Sequence, residues 1–262
     1  MGIKTAIRHE QLPPHYQHHQ LLSTTDGVMA SVYLLDDQYI LKLFEEDVST
    51  ETVEQEIVLL NQLEPLSIPK VIEHFKIKNH QVVITTQIEG KSLENPSTHE
   101  IEQIGVFLKL FHQKSKQLTS SNKNLFTTKR LGKLIELTQQ RIFQEYFQNL
   151  NIELKEEGII HGDLFVDNAK FKNGKLSGVY DFTDACSGDF HFELAVVAIS
   201  WCYNKKMLNP QKVMSLLKSY GSSMELKAFN EYIRYALLYY ATTRYLNHKN
   251  YQELLDRLDK LL

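Results

Sequence analysis

The stretch His161-Gly162-Asp163-Leu164-Phe165-Val166-Asp167-Asn168 decides the interpretation of this chain, together with Tyr180-Asp181-Phe182. An asparagine follows an aspartate by five residues, and a predicted short β-hairpin then leads to a second aspartate. Asparagine and aspartate supply the hard oxygen ligands that Mg²⁺ prefers, and the remaining carboxylate can accept a proton from a hydroxyl group. Phosphoryl transfer from a magnesium nucleotide requires this pattern. We therefore predict Asp163 as the catalytic base and Asn168 and Asp181 as the metal ligands.

The composition is that of an ordinary globular protein. The 262 residues are 42% hydrophobic and 23% charged, which suits one large domain or two modest lobes. The net charge of −3 and the lack of a long Lys/Arg run argue against a nucleic-acid partner, and no stretch has the roughly 20 apolar residues of a membrane-spanning helix. Cys186 and Cys202 have no metal-site spacing and form no disulfide framework, and the polar N-terminus has no apolar core of a signal peptide. We predict a reduced, cytoplasmic enzyme, and make no prediction of its oligomeric state.

The first ninety residues are predicted to form a small antiparallel sheet with one embedded helix. Ser49 is placed to cap that helix, which runs to about Leu63 along an apolar stripe. Asp36-Asp37 supplies a tight turn between two of the strands. The predicted strands are short runs rich in Val, Ile, Leu and Tyr, covering residues 20–25, 29–35, 38–44, 71–77 and 81–86.

After Glu89-Gly90-Lys91-Ser92 the sequence pattern becomes mainly helical. Helices are predicted over residues 98–117, 129–150, 190–203, 210–220, 224–248 and 251–262, with short strands over 158–160, 168–171 and 176–180. The predicted fold class is therefore α+β. We predict a small β-rich nucleotide-binding lobe over residues 1–88 and a larger catalytic and acceptor-binding lobe over residues 89–262. A cleft between two lobes is a common place for a small-molecule site.

Lys42 lies between two leucines on the third predicted strand, so its side chain projects from the opposite face of the sheet. A lysine on an inner sheet face must be paired, because desolvating an unpaired charge is costly. The following helix offers Glu54 and Glu56, and the spacing to its apolar stripe favours Glu56. Each residue alone would be interpreted as an exposed side chain. Beside the Asp163 pattern, we predict that Lys42 holds the α- and β-phosphates and that Glu56 holds Lys42.

Two further features, the loop around Gly27 and the residue His161, each have more than one interpretation. The loop around Gly27 lies where a phosphate-covering turn belongs, and glycine permits close backbone approach to a phosphate, although a plain hairpin turn would give the same pattern. His161 precedes the predicted base and could itself act as a general base. We interpret it instead as a neutral histidine that holds the loop through a backbone hydrogen bond, because Asp163 already fits the role of proton acceptor.

The segment after Asp181 indicates the kind of acceptor. Only eleven residues separate Asp181 from Glu193, which already lies inside the next predicted helix, and no glycine stands directly after Phe182. This segment is too short to dock a polypeptide, so the predicted acceptor is the hydroxyl group of a small molecule. Residues 201–262 carry ten Lys/Arg and five Asp/Glu, which suits an acceptor with a carboxylate and Arg244 or Arg234 as its clamp. The alternative is that these charges coat solvated helix faces.

The motifs around Lys42, Asp163 and Asp181 resemble those of the aminoglycoside phosphotransferase and choline kinase superfamily of small-molecule kinases. The resemblance implies the bilobal protein-kinase-like fold, an ATP donor and Mg²⁺, while the choice between ATP and GTP stays open. It also implies that Thr86 and Ile88 contact adenine through their backbone atoms. The resemblance spans most of the chain and is carried by Lys42, Glu56, residues 87–93, residues 161–168, Asp181-Phe182 and residues 188–195.

Within that superfamily the chain is most similar to the homoserine kinases of the same fold, which implies homoserine as the acceptor. Asp184, Trp201 and Arg244 are the predicted acceptor-binding residues. Choline or ethanolamine is an alternative, because Trp201 and tyrosines such as Tyr235 could form a cation–π cage, although aromatic residues at helical spacing usually belong to a core. An amino sugar or aminoglycoside is another alternative acceptor, and a catalytically inactive nucleotide-binding relative is an alternative of a different class. The stretches shared with homoserine kinases are residues 161–168, 176–182, 185–186, 201–203 and 243–246.

Overall fold

The computed structural model describes residues 3–24, 30–118 and 124–261. The chain forms two compact units, and each is described by itself. The first unit contains Met1–Glu89 with Gly178–Thr183, and the second contains Gly90–Ser177 with Asp184–Leu262. The predicted functional division into lobes 1–88 and 89–262 stays a prediction.

The first unit is built on an antiparallel sheet in the strand order β1-β2-β3-β5-β4. The predicted strands and the helix after the third strand are confirmed, apart from strand ends at residues 25 and 29, which lie outside the described residues. The elements are β1 (Leu21–Ser23), β2 (Ala30–Leu35), β3 (Tyr39–Phe44), α1 (Thr50–Leu63), β4 (Val71–Ile77) and β5 (His80–Thr86).

Local sequence explains how these elements begin and turn. Asp36 and Asp37 both adopt the left-handed conformation, with φ of 48° and 54°, which short polar side chains tolerate in a tight turn. The Ser49 hydroxyl accepts a hydrogen bond from the Thr52 N–H at 3.1 Å and so caps α1. Alternation along the strands buries one face of the sheet in a core that includes Leu35, Leu41, Leu43, Val82 and Ile84.

The second unit is mainly helical. Its short strands pair as β6 with β9, β7 with β8, and β10 with β11. In chain order the elements are α2 (Thr98–Ser115), α3 (Thr128–Thr138), α4 (Arg141–Gln148), β6 (Gly158–Ile160), β7 (Ala169–Lys172), β8 (Lys175–Val179), β9 (Cys186–Gly188), α5 (Phe190–Trp201), β10 (Tyr203–Asn204), β11 (Met207–Leu208), α6 (Pro210–Tyr220), α7 (Leu226–Leu246) and α8 (Gln252–Asp259).

Two predicted helices in this unit had the wrong extent. The stretch predicted as one helix over residues 129–150 is two helices, because Gln139 turns the chain into the left-handed conformation with φ of 53°. The Thr138 hydroxyl donates to the Ile135 carbonyl and accepts the Gln140 N–H, which offers the backbone an alternative to continuing the helix. The helix predicted to end at residue 203 ends at Trp201, because the next residues enter the β10–β11 hairpin.

Helix α5 passes through the core of the second unit. Its residues from Phe192 to Ala198 are almost completely buried, which explains why the segment is apolar all round rather than along one stripe. Within the described ranges, no helix combines the length and apolar character needed to cross a membrane.

Cys186 and Cys202 are free thiols with no exposed surface. Burial raises the pKa of Cys186 to about 12 and raises the pKa of Cys202 further. The thiolate is the reactive form, so we expect neither cysteine of the native protein to react with Ellman's reagent within minutes at pH 8. Both should react at once in guanidinium chloride. Rapid labelling of the folded protein would contradict the buried placement.

Candidate active site

Lys42 lies at the centre of a polar cluster in the first unit. Its Nζ atom is 3.2 and 3.4 Å from the two carboxylate oxygens of Glu56 and 3.0 Å from Oδ1 of Asp181. It also lies 2.5 Å from the hydroxyl oxygen of Thr183. Strand β3 supplies the lysine, helix α1 the glutamate, and the segment after β8 the other two residues. The structure therefore brings Lys42 and Glu56 together and adds Asp181 to the pair.

The surroundings of Lys42 keep its side chain charged. Burial on its own would lower the pKa of Lys42, but the nearby carboxylates of Asp181 and Glu56 outweigh it and raise that pKa above its usual value. The ring of Phe44 also lies 4.9 Å from Nζ, which adds a cation–π contact. Lys42 therefore keeps its positive charge at every physiological pH and can contact an anionic group.

The backbone around Asp181 is held in an uncommon conformation. Asp181 has a φ of 66°, which aspartate tolerates better than most residues do. The segment is tied to the first unit by a 2.9 Å hydrogen bond from the Val179 N–H to the Ser67 carbonyl. Space beside it is limited at Gly178, because a Cβ atom there would lie 2.8 Å from Cδ1 of Ile88 and 3.0 Å from the Ser67 carbonyl oxygen. Strained backbone of this kind is concentrated at functional sites.

In the second unit, Asn168 is held against Asp163. The side-chain amide of Asn168 donates to the Asp163 carbonyl at 2.7 Å and to Oδ2 of Asp163 at 3.2 Å. The NH₂ end of the amide therefore faces Asp163, which leaves the carbonyl oxygen as the end that can bind a cation. Amide and carboxylate oxygens are both hard donors of the kind that Mg²⁺ prefers, and the roles of Asn168 and Asp181 as metal ligands stay predictions.

The loop that carries Asp163 is anchored by a buried glutamate. Oε1 of Glu193 accepts the N–H groups of His161 and Gly162 at 2.7 and 2.9 Å. Oε2 of Glu193 accepts a hydrogen bond from Nε2 of His112 at 2.6 Å, and Nδ1 of His112 lies 3.0 Å from the hydroxyl of Tyr220. Glu193 has no exposed surface, so it links helices α2, α5 and α6 to the loop from inside the core.

His161 and Gly162 complete the support of this loop. The His161 ring is buried, and its Nδ1 atom accepts the Asp163 N–H at 3.3 Å, so that nitrogen carries no proton. This contact fits a histidine that holds the loop better than one that acts as a general base. Gly162 has a φ of +80°, and a Cβ atom there would lie 2.7 Å from the ring of Phe126.

Helix α7 also contacts this loop. The Tyr240 hydroxyl donates to the Gly162 carbonyl, and the Tyr240 ring meets the Phe165 ring edge-on at 4.9 Å. One turn later, the guanidinium of Arg244 lies 5.8 Å from the centre of the Phe165 ring. Arg234, the other predicted clamp, is instead bonded to Glu231 at 2.8 Å and to a backbone carbonyl at 3.2 Å.

Comparison with known proteins identifies the family of this chain. Residues 24–209, more than half of the chain, match the sequence model of the family described as "Phosphotransferase enzyme family" (APH). The chain belongs to this phosphotransferase family. It is similar to the homoserine kinase of Bartonella tribocorum, with 27% identity over 220 residues that cover 74% of this chain and 69% of the relative. It is also similar to the homoserine kinase of Methylocella silvestris, with 26% identity over an alignment of 286 positions that covers 95% of this chain and 89% of the relative.

Solved structures of aminoglycoside phosphotransferases share the fold. The GDP and kanamycin complex of APH(2'')-IIIa has a TM-score of 0.68 at 14% identity, and the match covers 92% of this chain and 91% of that one. The streptomycin–ATP complex of APH(2'')-IIa has a TM-score of 0.64 at 16% identity, with 95% and 92% of the chains covered. The predicted α+β, bilobal protein-kinase-like fold is confirmed, and this phosphotransferase is a small-molecule kinase.

The predicted roles of four other site residues of the phosphotransferase stay predictions. Gly27 lies outside the described residues. The Thr86 N–H donates to the Lys70 carbonyl at 2.9 Å, and Ile88 packs near Gly178, so their predicted adenine contacts stay predictions. Asp184 places its backbone carbonyl next to Gly162, and its predicted contact with the acceptor also stays a prediction.

Trp201 of this kinase belongs to the core. It has no exposed surface, and its indole N–H donates to the Leu164 carbonyl at 3.0 Å. Tyr235, another candidate for the cation–π cage, is equally buried, and its hydroxyl donates to the Phe126 carbonyl. We therefore leave Trp201 out of the acceptor set and interpret it as a support of the loop that carries Asp163.

Sequence reasoning missed the roles of Thr183 and Glu193. Glu193 carried a usable signal, because a single carboxylate inside the apolar run Phe190-His191-Phe192-Glu193-Leu194-Ala195-Val196-Val197 has to find buried hydrogen-bond donors. Thr183 carried no such signal, because nothing in the sequence around Asp181-Phe182-Thr183 indicates which side chains the threonine contacts.

Proposed function

We propose that this small-molecule kinase transfers the γ-phosphoryl group of ATP to the hydroxyl group of homoserine. The observation that carries the choice of acceptor is the position of Arg244 beside Phe165, two residues after Asp163. An arginine guanidinium binds a carboxylate through two parallel hydrogen bonds. Homoserine has a carboxylate at one end and a hydroxyl group at the other, so one molecule can engage both Arg244 and Asp163.

The partners of Arg244 support this role. Across the part of the chain that the structure describes, its guanidinium has the Phe165 ring as a neighbour but no acidic side chain within ion-pair distance. Arg244 is partly exposed, so an anionic ligand can reach it. An aminoglycoside or choline would bring another positive charge to this guanidinium, which is unfavourable. The similarity to homoserine kinases of other organisms supports the same acceptor.

The proposed catalytic roles follow from the Lys42 cluster of the first unit and from the contact between Asp163 and Asn168 in the second. Asp163 accepts the proton of the acceptor hydroxyl on a carboxylate oxygen, and the amide of Asn168 orients that carboxylate. Lys42 binds the α- and β-phosphates, and Glu56 orients Lys42. Asn168 and Asp181 would hold Mg²⁺, which when bound neutralises charge on the phosphate oxygens. Thr86, Ile88 and Gly27 keep their proposed places around the nucleotide.

An acceptor screen tests this proposal. We expect homoserine to stimulate ADP release from Mg-ATP, and choline, ethanolamine and kanamycin to leave it at the basal rate. Stimulation by one of those three but not by homoserine would reject the acceptor. If Mg-ATP binds and no acceptor in a broad panel is phosphorylated, the chain is a nucleotide-binding relative and the proposed transfer is wrong.

Arg244→Gln tests the carboxylate contact within that screen. We expect KM for homoserine to rise by about 10- to 100-fold with kcat nearly unchanged, because a charge-assisted contact contributes about 1.5–3 kcal/mol. The matched analogue 3-aminopropan-1-ol keeps the hydroxyl and amino groups but lacks the carboxylate, so its KM should be the same in both proteins. Arg234→Gln, on the same helix, is the control and should leave KM for homoserine unchanged. Equal KM values for homoserine in wild type and Arg244→Gln would contradict the clamp.

A further inference from the structure

The hydroxyl group of Thr183 joins the three charged groups of the Lys42 cluster. Its oxygen lies 2.5 Å from Nζ of Lys42, 2.8 Å from Oδ1 of Asp181 and 3.2 Å from Oε2 of Glu56. These four side chains belong to the first unit, and Thr183 is partly buried there. None of the roles proposed above uses this hydroxyl.

The Thr183 hydroxyl has one proton and lies close to two carboxylates. The ammonium of Lys42 has three protons, and the structure offers it three acceptors in Glu56, Asp181 and Thr183. The Thr183 oxygen accepts from Lys42, which leaves a single hydroxyl proton for two carboxylate oxygens. The shorter contact, at 2.8 Å, is with Asp181, and the longer, at 3.2 Å, is with Glu56. The hydroxyl can therefore change its acceptor by rotation alone.

In the proposed function Asp181 has two successive roles, first as a partner of Lys42 and then as a ligand of the metal. In this structure its Oδ1 atom accepts hydrogen bonds from both Lys42 and Thr183. A carboxylate oxygen has about two lone-pair sites, so Oδ1 is fully used. Binding a cation through this same Oδ1 atom therefore requires that the carboxylate give up part of its contact with Lys42. Without a substitute, Lys42 would lose one of its acceptors at the moment when it has to hold phosphate.

We propose that Thr183 is a positioning residue that keeps Lys42 and Glu56 aligned when Asp181 exchanges its contact with Lys42 for a metal–nucleotide complex. This inference rests on the proposed function, in which Lys42 binds phosphate and Asp181 binds the metal. During the exchange the hydroxyl proton turns from Asp181 to Glu56, while the hydroxyl oxygen keeps accepting from Lys42. Lys42 then keeps two fixed partners, and its third proton is directed to the phosphates.

Isothermal titration calorimetry of nucleotide binding tests this role directly. Thr183→Val keeps the shape of the side chain and removes the hydroxyl, and Thr183→Ser keeps the hydroxyl. We expect Val to weaken Mg-ADP binding about tenfold, equivalent to about 1.4 kcal/mol, and Ser to stay within about threefold of wild type. Binding of ADP in EDTA should change less than about threefold in both variants, because Asp181 then keeps its contact with Lys42.

Controls separate positioning from a purely structural role. Thr242→Val removes the hydroxyl of another buried threonine, which donates to the Leu238 carbonyl inside α7, and should leave Mg-ADP binding unchanged. In steady-state kinetics, Thr183→Val should raise KM for Mg-ATP about tenfold and leave KM for the acceptor unchanged. A structural role alone would lower the midpoint of unfolding and leave the Kd of the folded protein as it was.

The outcomes distinguish this inference from the proposed function. If wild type and Thr183→Val bind Mg-ADP equally while Lys42→Met abolishes binding, the role of Thr183 is wrong and the assignment of Lys42 stands. An equal loss of affinity for Mg-ADP and for metal-free ADP would also overturn the exchange. If Lys42→Met leaves nucleotide binding unchanged, the proposed nucleotide site and this inference are both wrong.

Discussion

Asp163→Asn is expected to lower kcat by about 10²–10⁴-fold while leaving the Kd of Mg-ATP within about threefold of wild type. The asparagine has almost the same shape but cannot take the proton of the acceptor hydroxyl. The hydrogen bond from Asn168 to the backbone carbonyl at position 163, 2.7 Å long in the structure, does not depend on the side chain that is replaced. The loop should therefore keep its conformation. Steady-state kinetics and calorimetry together measure the two effects.

The neighbouring aspartate provides the control for this substitution. Asp167 lies in the same loop and is exposed, and we expect Asp167→Asn to keep at least about a third of the wild-type kcat, because its carboxylate has no part in proton transfer. If Asp163→Asn retained more than a tenth of wild-type turnover, Asp163 would not be the base. A loss of Mg-ATP binding equal to the loss of turnover would instead indicate that the substitution disrupts the loop.

Glu193→Ala is expected to destabilise the protein by about 3–5 kcal/mol, because it removes one partner of a fully buried hydrogen-bonded group. The N–H groups of His161 and Gly162 and the Nε2 atom of His112 would each lose an acceptor in the core. The same change frees the loop that carries Asp163, so kcat of the remaining folded protein should also fall. Urea unfolding followed by circular dichroism measures the stability, and kinetics at low temperature measures the turnover.

Glu193→Gln separates hydrogen bonding from charge at this position. Glutamine keeps an oxygen for the two backbone N–H groups, and its NH₂ group can donate to His112 once that ring donates from Nδ1 to the Tyr220 oxygen instead. We expect a cost of about 1 kcal/mol and nearly normal turnover. If alanine were as well tolerated as glutamine, the anchoring role of Glu193 would be wrong. If glutamine were as damaging as alanine, the charge would matter more than the hydrogen bonds.

Much of the first unit follows from local sequence. The two leucines beside Lys42 predict a strand with the lysine on the opposite face, and the structure has that strand as β3 with both leucines buried. Ser49 predicts the start of α1, and its hydroxyl caps that helix. The apolar stripe of the helix favoured Glu56 as the partner of Lys42, and the two side chains lie 3.2 Å apart. Such predictions succeed because strand and helix periodicities decide which side of an element a side chain occupies.

Other features could not be predicted because they depend on contacts between distant parts of the chain. The break between α3 and α4 occurs at Gln139, a residue with no marked preference for the left-handed conformation. Strand β9 is Cys186–Gly188, too short to show alternation, and it forms because β6 pairs with it. Trp201 was predicted to bind the acceptor, but it is buried in the core, where its N–H supports the loop that carries Asp163.

From the sequence alone, the spacing of Asp163, Asn168 and Asp181 predicted phosphoryl transfer from a magnesium nucleotide, and the periodicity of apolar residues determined the alternation of strands and helices. Only the tertiary structure decided how those groups are held. Lys42 and Thr183 are 141 positions apart, and His112 and Glu193 are 81 apart, so no local pattern connects them. Periodicity acts over a few residues, whereas a buried polar group takes whichever donor or acceptor the packed core brings within hydrogen-bond distance.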